Sequence, residues 1–147
     1  MRVISNTSPL IGLAKINRLD ILQQLFKTIV IPQAVYNEFL KYRPYAEAQY
    51  FQTACDNFIT VLAVKNVVAF KRNLDLGESE VLTLALSEPA DIVLIDDRKA
   101  FNEAKELNIK TASTHVILKM AETKGYIENY QAFVAQLAER GFFISNY

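Results

Sequence analysis

Four carboxylates stand where a folded chain could gather them. Asp96 and Asp97 close the run Asp91-Ile92-Val93-Leu94-Ile95-Asp96-Asp97, in which four apolar residues lead straight into two acids. Glu38 and Glu78 each fall on what reads as the apolar face of a helix: Glu38 with Ala34 and Val35, Glu78 with Val81, Leu82 and Ala85. Burying acids is costly unless something compensates the charge. A divalent metal held by oxygen ligands is the simplest compensation, and a metal among acids points to phosphate chemistry. Asn6, followed by Thr7 and Ser8, adds a cluster of small oxygen-bearing side chains.

Each residue also has a plainer reading. Asp75 with Glu78 three positions on is a capping box. Glu38 could be a boundary residue beside its apolar stripe. One of Asp96 and Asp97 could cap the next helix, which leaves the other unexplained. Asn6-Thr7-Ser8 could be a turn and a cap. Glu80 shares its side of the helix with Thr83, Leu84 and Ser87 and ranks below Glu78 as a site residue. Arg98 and Lys99, next to the acid pair, could meet phosphate oxygens or simply begin a solvated helix. His115, the one histidine, has no serine or cysteine partner in a recognisable pattern. Glycine-rich phosphate loops and zinc-type Cys/His spacings are absent.

Elements must bring these residues together. The 147 residues suit one domain, residues 1–147, with enough chain to bury a core. With only four Gly and four Pro there is no evident linker. Sixteen basic and sixteen acidic residues balance, which argues against coating nucleic acid by bulk charge. The single Cys55 fits a reducing, cytoplasmic setting. No apolar run approaches the roughly 18–20 residues of a membrane span. The N-terminal segment reads as a strand and not as a signal peptide.

Along the chain, a strand from Val3 ends near Asn6, and a helix starts at Ser8-Pro9, with Ser8 as cap. A helix over 19–26, a strand over 28–31 and a helix from Pro32 follow. Residues 45–56 read as helix and 58–64 as strand. Asp75-Leu76-Gly77-Glu78 precedes a helix through Leu86, with a strand over 92–95 and a helix over 100–107 after it. A strand over 109–111 leads to a helix capped by Ser113 or Thr114 and stopped at Gly125. The last elements are a helix over 130–140 and a strand over 142–145. Short continuous apolar strands alternating with helices predict an α/β fold of three layers, a central parallel sheet with helices on both faces. Sites in such folds lie beyond the carboxyl ends of the strands, where Asn6, Asp96 and Asp97 fall.

Taken in order, the motifs Ser5-Asn6-Thr7-Ser8-Pro9-Leu10-Ile11, Ile31-Pro32-Gln33-Ala34-Val35-Tyr36-Asn37-Glu38, Leu76-Gly77-Glu78-Ser79-Glu80 and Leu94-Ile95-Asp96-Asp97-Arg98-Lys99-Ala100, then Ser113-Thr114, resemble a PIN domain. Within that family they are similar to the VapC-like branch. The resemblance implies a metal-dependent ribonuclease, the toxin of a toxin–antitoxin pair, cutting RNA with Mg²⁺ or Mn²⁺. It carries the catalytic and metal positions onto Asn6, Glu38, Glu78 and Asp96, with Asp97 as an alternative or additional ligand. Thr114 falls where a hydroxyl often lines the site, and with it Ser8, Arg98 and Lys99 are expected to contact substrate. It implies a small antitoxin protein as partner. Tyr36, Tyr42, Tyr45, Tyr50 and Phe51 are expected to contribute to that surface or to a homodimer, or else to pack in the core. The departure is Asn6, where the family usually has Asp. An amide oxygen can bind a metal but brings no charge. A weak or inactive module binding RNA or protein is therefore the competing expectation.

Overall fold

The computed structural model describes residues 1–41 and 43–144. Tyr42, and position 145 at the end of the expected last strand, lie outside the described residues. Five parallel strands form one sheet: β1 (Val3–Ser5), β2 (Ile29–Pro32), β3 (Ile59–Leu62), β4 (Ile92–Leu94) and β5 (Thr111–Ala112), in the order β3-β2-β1-β4-β5. β1 and β4 are buried at every position, as central parallel strands covered on both faces must be. β3, at the edge, buries only Ile59 fully.

Among the described residues, eight helices flank the sheet: α1 (Thr7–Lys15), α2 (Asp20–Phe26), α3 (Gln33–Leu40), α4 (Tyr45–Asn57), α5 (Leu76–Ser87), α6 (Arg98–Glu106), α7 (Thr114–Thr123) and α8 (Tyr130–Glu139). α5 packs on β1, β2 and α3, while α2 packs on β2 and α7, and α7 in turn on α8. The architecture is the expected α/β one. In the core, Phe39 stacks on Phe51, with ring centroids 4.0 Å apart.

The chain builds β1, β2 and β3 outward in one direction. It then crosses back, through residues 63–75 and α5, to lay β4 on the other side of β1. Connections therefore leave β1 and β4 in opposite directions, which opens a crevice at their carboxyl ends. The Asn6 N–H donates to the Leu94 carbonyl at 2.9 Å, fixing the two strand ends side by side.

Several expected elements differ. Ser8 does not cap α1, which begins at Thr7 with Asn6 at the cap position and no side-chain cap bond. The strand expected over 109–111 lies at Thr111–Ala112. Asn108 turns through a left-handed φ of 59°, and Ile109 N–H still bonds back to Ala104, so the chain enters the sheet later. Residues 142–144 do not form the expected last strand. Phe142 instead lays its ring on Gly12 of α1, where a Cβ would come within 2.8 Å of it. Of the aromatics expected at the surface, Phe51 is fully buried and Tyr36 and Tyr50 are partly buried; Tyr45 is exposed.

Candidate functional site

The site grows from the N-terminal end of α5. Asp75 caps it, accepting from Glu78 N–H at 2.8 Å, while Glu78 Oε1 accepts from Asp75 N–H at 3.0 Å. This reciprocal box holds the first turn and leaves Gly77 facing α3 and β1. A Cβ placed on Gly77 would lie 3.0 Å from Glu38 Oε2, 3.6 Å from Asn6 Oδ1 and 3.6 Å from Asp75 Oδ1. Three side-chain oxygens from three separate parts of the chain thus converge on one point. Glycine at that point is what lets them approach.

Glu38 lies on the exposed side of α3, not on its apolar face, and Thr7 Oγ1 donates to its Oε2 at 2.6 Å. The buried anchors of α3 are Val35 and Phe39. A cleft of about 320 Å³ opens here, lined by Ala34, Asn37, Glu38, Lys41, Asp75, Leu76 and Gly77.

Asp96 follows β4, half-buried, and is held from two sides. Thr114 N–H donates to Oδ1 at 2.7 Å, Thr114 Oγ1 to Oδ2 at 2.7 Å and Ser8 Oγ to Oδ2 at 2.9 Å. The hydroxyls of α1 and α7 therefore aim this carboxylate. Asp97 does the capping that one of the pair was expected to do: its side chain accepts from Ala100 N–H at 3.0 Å at the start of α6.

A second cleft, about 350 Å³, lies on the α6 side and is lined by Asn73, Leu74, Asp75, Glu78, Asp97 and Lys99. Burial pushes the Glu78 carboxyl up to about 7, against the lowering effect of the Asp75 N–H, and the neighbouring Asp75 and Asp97 carboxylates push the same way. Arg98 and Lys99 are exposed in the first turn of α6, and Lys99 Nζ donates to the Asn73 carbonyl at 3.3 Å. Asp75 lines both clefts, so the first turn of α5 stands between them.

The candidate ligands are thereby split. Asn6 and Glu38 meet on the α3 side, Glu78 and Asp97 on the α6 side, and Asp96 is tied to hydroxyls. Among the described residues no three Asp, Glu, His or Cys side chains already form a metal cage. The donors are nonetheless all oxygen, the set that suits a hard divalent cation. A carboxyl raised to about 7 beside two other acids is a position where added positive charge would be favourable.

Sequence reasoning did not single out Gly77, the close role of Asp75, or Thr7 as the donor to Glu38. A glycine in the first turn of a helix, where alanine would be better by about 1 kcal/mol, was the available signal. Glu80, which its sequence face ranks below Glu78, is buried and accepts from Ala34 N–H at 3.1 Å, supplying the first turn of α3 with a bond that Pro32 cannot give. His115 contacts the Tyr130 hydroxyl through Nδ1, edge-on to its ring.

Among solved structures, the fold is similar to a PilT N-terminus domain protein from the hyperthermophilic archaeon Sulfolobus solfataricus P2. The TM-score is 0.62 and the identity 22%, over 82% of this chain and 93% of that one. At that identity the likeness speaks for the fold. No curated protein gives a significant match. A family model described as DUF3368, PIN domain, matches residues 2–147. PIN domains are generally nucleases that use divalent metal ions. With that match spanning nearly the whole chain, this protein belongs to the PIN domain family.

Proposed function

We propose that the protein is a single-domain, metal-dependent endoribonuclease of the VapC-like kind, acting as the toxin of a toxin–antitoxin pair in the cytoplasm. The observation that carries the reading is the convergence of Asn6 Oδ1, Glu38 Oε2 and Asp75 Oδ1 around Gly77, in the crevice between β1 and β4.

Asn6, Glu38, Glu78 and Asp96 would hold Mg²⁺ or Mn²⁺, with Asp97 as an additional ligand. The bound ion supplies a water of lowered pKa and stabilises charge on the phosphoryl oxygens. The chain's own residues do the positioning. Thr7 fixes one oxygen of Glu38, and Ser8 and Thr114 fix Asp96. Exposed Arg98 and Lys99 lie beside these acids and offer cationic contacts to a phosphate chain. Because formal net charge is zero, RNA binding must depend on such local contacts. The small antitoxin and a second copy of the chain are the partners this reading requires.

Purified protein should cut a mixed RNA pool with Mn²⁺. EDTA and Glu38→Ala should each abolish the cleavage. Protection of the RNA under every metal condition would refute the nuclease reading. One observation favours the competing reading of a binding module: Asn6 brings an uncharged amide to the point where an aspartate would bring a carboxylate. If wild type is inert and Asn6→Asp cuts, the site is complete except for that charge.

A further inference from the structure

The α3-side cleft holds more than candidate metal ligands. Glu38, Asp75 and Gly77 form the wall it shares with the acidic site. Ala34, Asn37, Lys41 and Leu76 form the rest of it. Its volume of about 320 Å³ lies at the lower end of the roughly 300–1,000 Å³ of small-molecule sites.

Leu76 is the informative residue. It opens α5 and is 61% exposed, while the same helix buries Val81, Leu82, Leu84 and Ala85. An apolar side chain is thus held in the wall of a polar cleft, between Asp75 and Gly77 in sequence. The Asp75–Glu78 box fixes the turn that carries it. Single exposed leucines are common on protein surfaces. Leu86, near the other end of α5, is one of them, but only Leu76 lines the cleft that Glu38 lines. From α3 come Asn37 and Lys41. Asn37 Oδ1 accepts from Gln33 Nε2 at 3.0 Å, which leaves Asn37 Nδ2 to donate. Lys41 is exposed and closes α3, its N–H donating to the Asn37 and Glu38 carbonyls at 3.2 and 3.3 Å. Its ammonium therefore belongs to the same end of α3 as Glu38.

We propose that this cleft is a nucleotide subsite beside the scissile phosphate. Leu76 packs against the base, Asn37 Nδ2 donates to the base edge, and Lys41 pairs with the next phosphate. The inference rests on RNA being the substrate. A phosphate bound at the acids sends the strand both ways, and two clefts meet at the first turn of α5. Lys99 stands in the α6-side cleft and Lys41 in the α3-side one, so a cation lies on each side of the acids. A splayed base asks for an apolar face and a polar partner at its edge, and a phosphate asks for a cation. The α3-side cleft offers all three. In the α6-side cleft the leucine, Leu74, is half-buried, so the α3 side is the better seat for a base. An aliphatic face accepts every base, which makes this contact tolerant of sequence.

The test measures binding of a short fluorescent single-stranded RNA to the full chain in Ca²⁺, over a range of salt, beside cleavage kinetics in Mn²⁺. Leu76→Ala should weaken binding roughly threefold to tenfold, and Leu86→Ala should not weaken it. Both leucines are exposed, so both variants should melt with wild type. An abasic position is then walked along the strand. At one place it should weaken wild-type binding by a similar factor and leave Leu76→Ala binding unchanged, because the two losses are the same contact. Lys41→Gln should lower the slope of log affinity against log salt by about 0.7, one phosphate contact on a single strand. It should raise KM with little change in kcat. Leu76→Ala and Lys41→Gln proteins that bind and cut like wild type overturn the subsite and leave the nuclease reading standing. Abasic strands that weaken Leu76→Ala as much as wild type at every place also overturn it, because Leu76 then meets no base. Wild type that binds with these ratios but cuts nothing counts against the nuclease reading alone. A strand that does not bind at all overturns both.

Discussion

At the scale of single residues, Gly77 is where stability and activity should separate. Alanine there gains about 1 kcal/mol of helix propensity. Its Cβ would sit 3.0 Å from Glu38 Oε2, and that is the end of a flexible, exposed side chain which can swing away cheaply. Gly77→Ala is therefore expected to melt within about 1 kcal/mol of wild type, while Mn²⁺-dependent cleavage falls by roughly tenfold or more as Glu38 leaves its position. A denaturation curve beside an RNA cleavage rate checks both halves. Loss of folding would mean that the crowding is structural and not functional. Cys55 gives a second test. Burial pushes its thiol up to about 11, and the adjacent Asp56 carboxylate adds to the shift. The thiolate is the reacting form, so alkylation should be slow at neutral pH and its rate should keep climbing past pH 9, levelling only near 11. A plateau at pH 9 would show an ordinary, open thiol.

At the scale of elements, the segment 63–75 that crosses the sheet is held down by α6. Arg72 donates to Glu103 Oε1 from its backbone N–H at 3.0 Å and from Nη1 at 3.2 Å, and its guanidinium also grips both oxygens of Glu106. Glu103 is buried and Glu106 is exposed. Glu103→Ala strips a partly buried backbone N–H and part of a guanidinium of their acceptor, so it should cost about 1–2 kcal/mol. Glu106→Ala, in water, should cost little. Equal losses in urea melts would contradict this. The pair also marks the limit of what sequence conveys. Periodicity and capping chemistry, read locally, place the helices to within a few residues, and the Asp75–Glu78 box is visible as spacing alone. The partners of Glu103, Thr7 and Ser8 are dozens of positions away and leave no local trace. Ser8-Pro9 has the local form of a cap, but the Ser8 hydroxyl is committed to Asp96. Phe142 has the local form of a strand residue, because nothing nearby announces that Gly12 leaves room for its ring. Glu38 shares an apolar face only with its neighbours in sequence, while in the fold it is exposed.

At the scale of the whole molecule, strand order is what turns scattered acids into a site. Laying β4 beside β1, and not beside β3, sets Asp96 next to Asn6, and the crossover brings Asp75, Gly77 and Glu78 over the same crevice. The ligands proposed here come from four parts of the chain: after β1, on α3, at the start of α5 and after β4. They exist together only in the folded state. An ion binding there therefore binds the native protein and not the unfolded chain, and its binding energy becomes folding energy. At about 100 times its dissociation constant, Mn²⁺ should add about 2.7 kcal/mol. For a chain of this length that corresponds to a rise of roughly 5–10 °C in melting temperature. The rise should vanish with EDTA and shrink in Glu38→Ala and Asp96→Asn, because each removes one negative charge from the shared site. Glu139→Ala, at the end of α8, should keep the full shift. An identical melting temperature with and without Mn²⁺ would mean that the two acid groups never close on a common ion, and that the split between the α3 and α6 sides is the protein's working state.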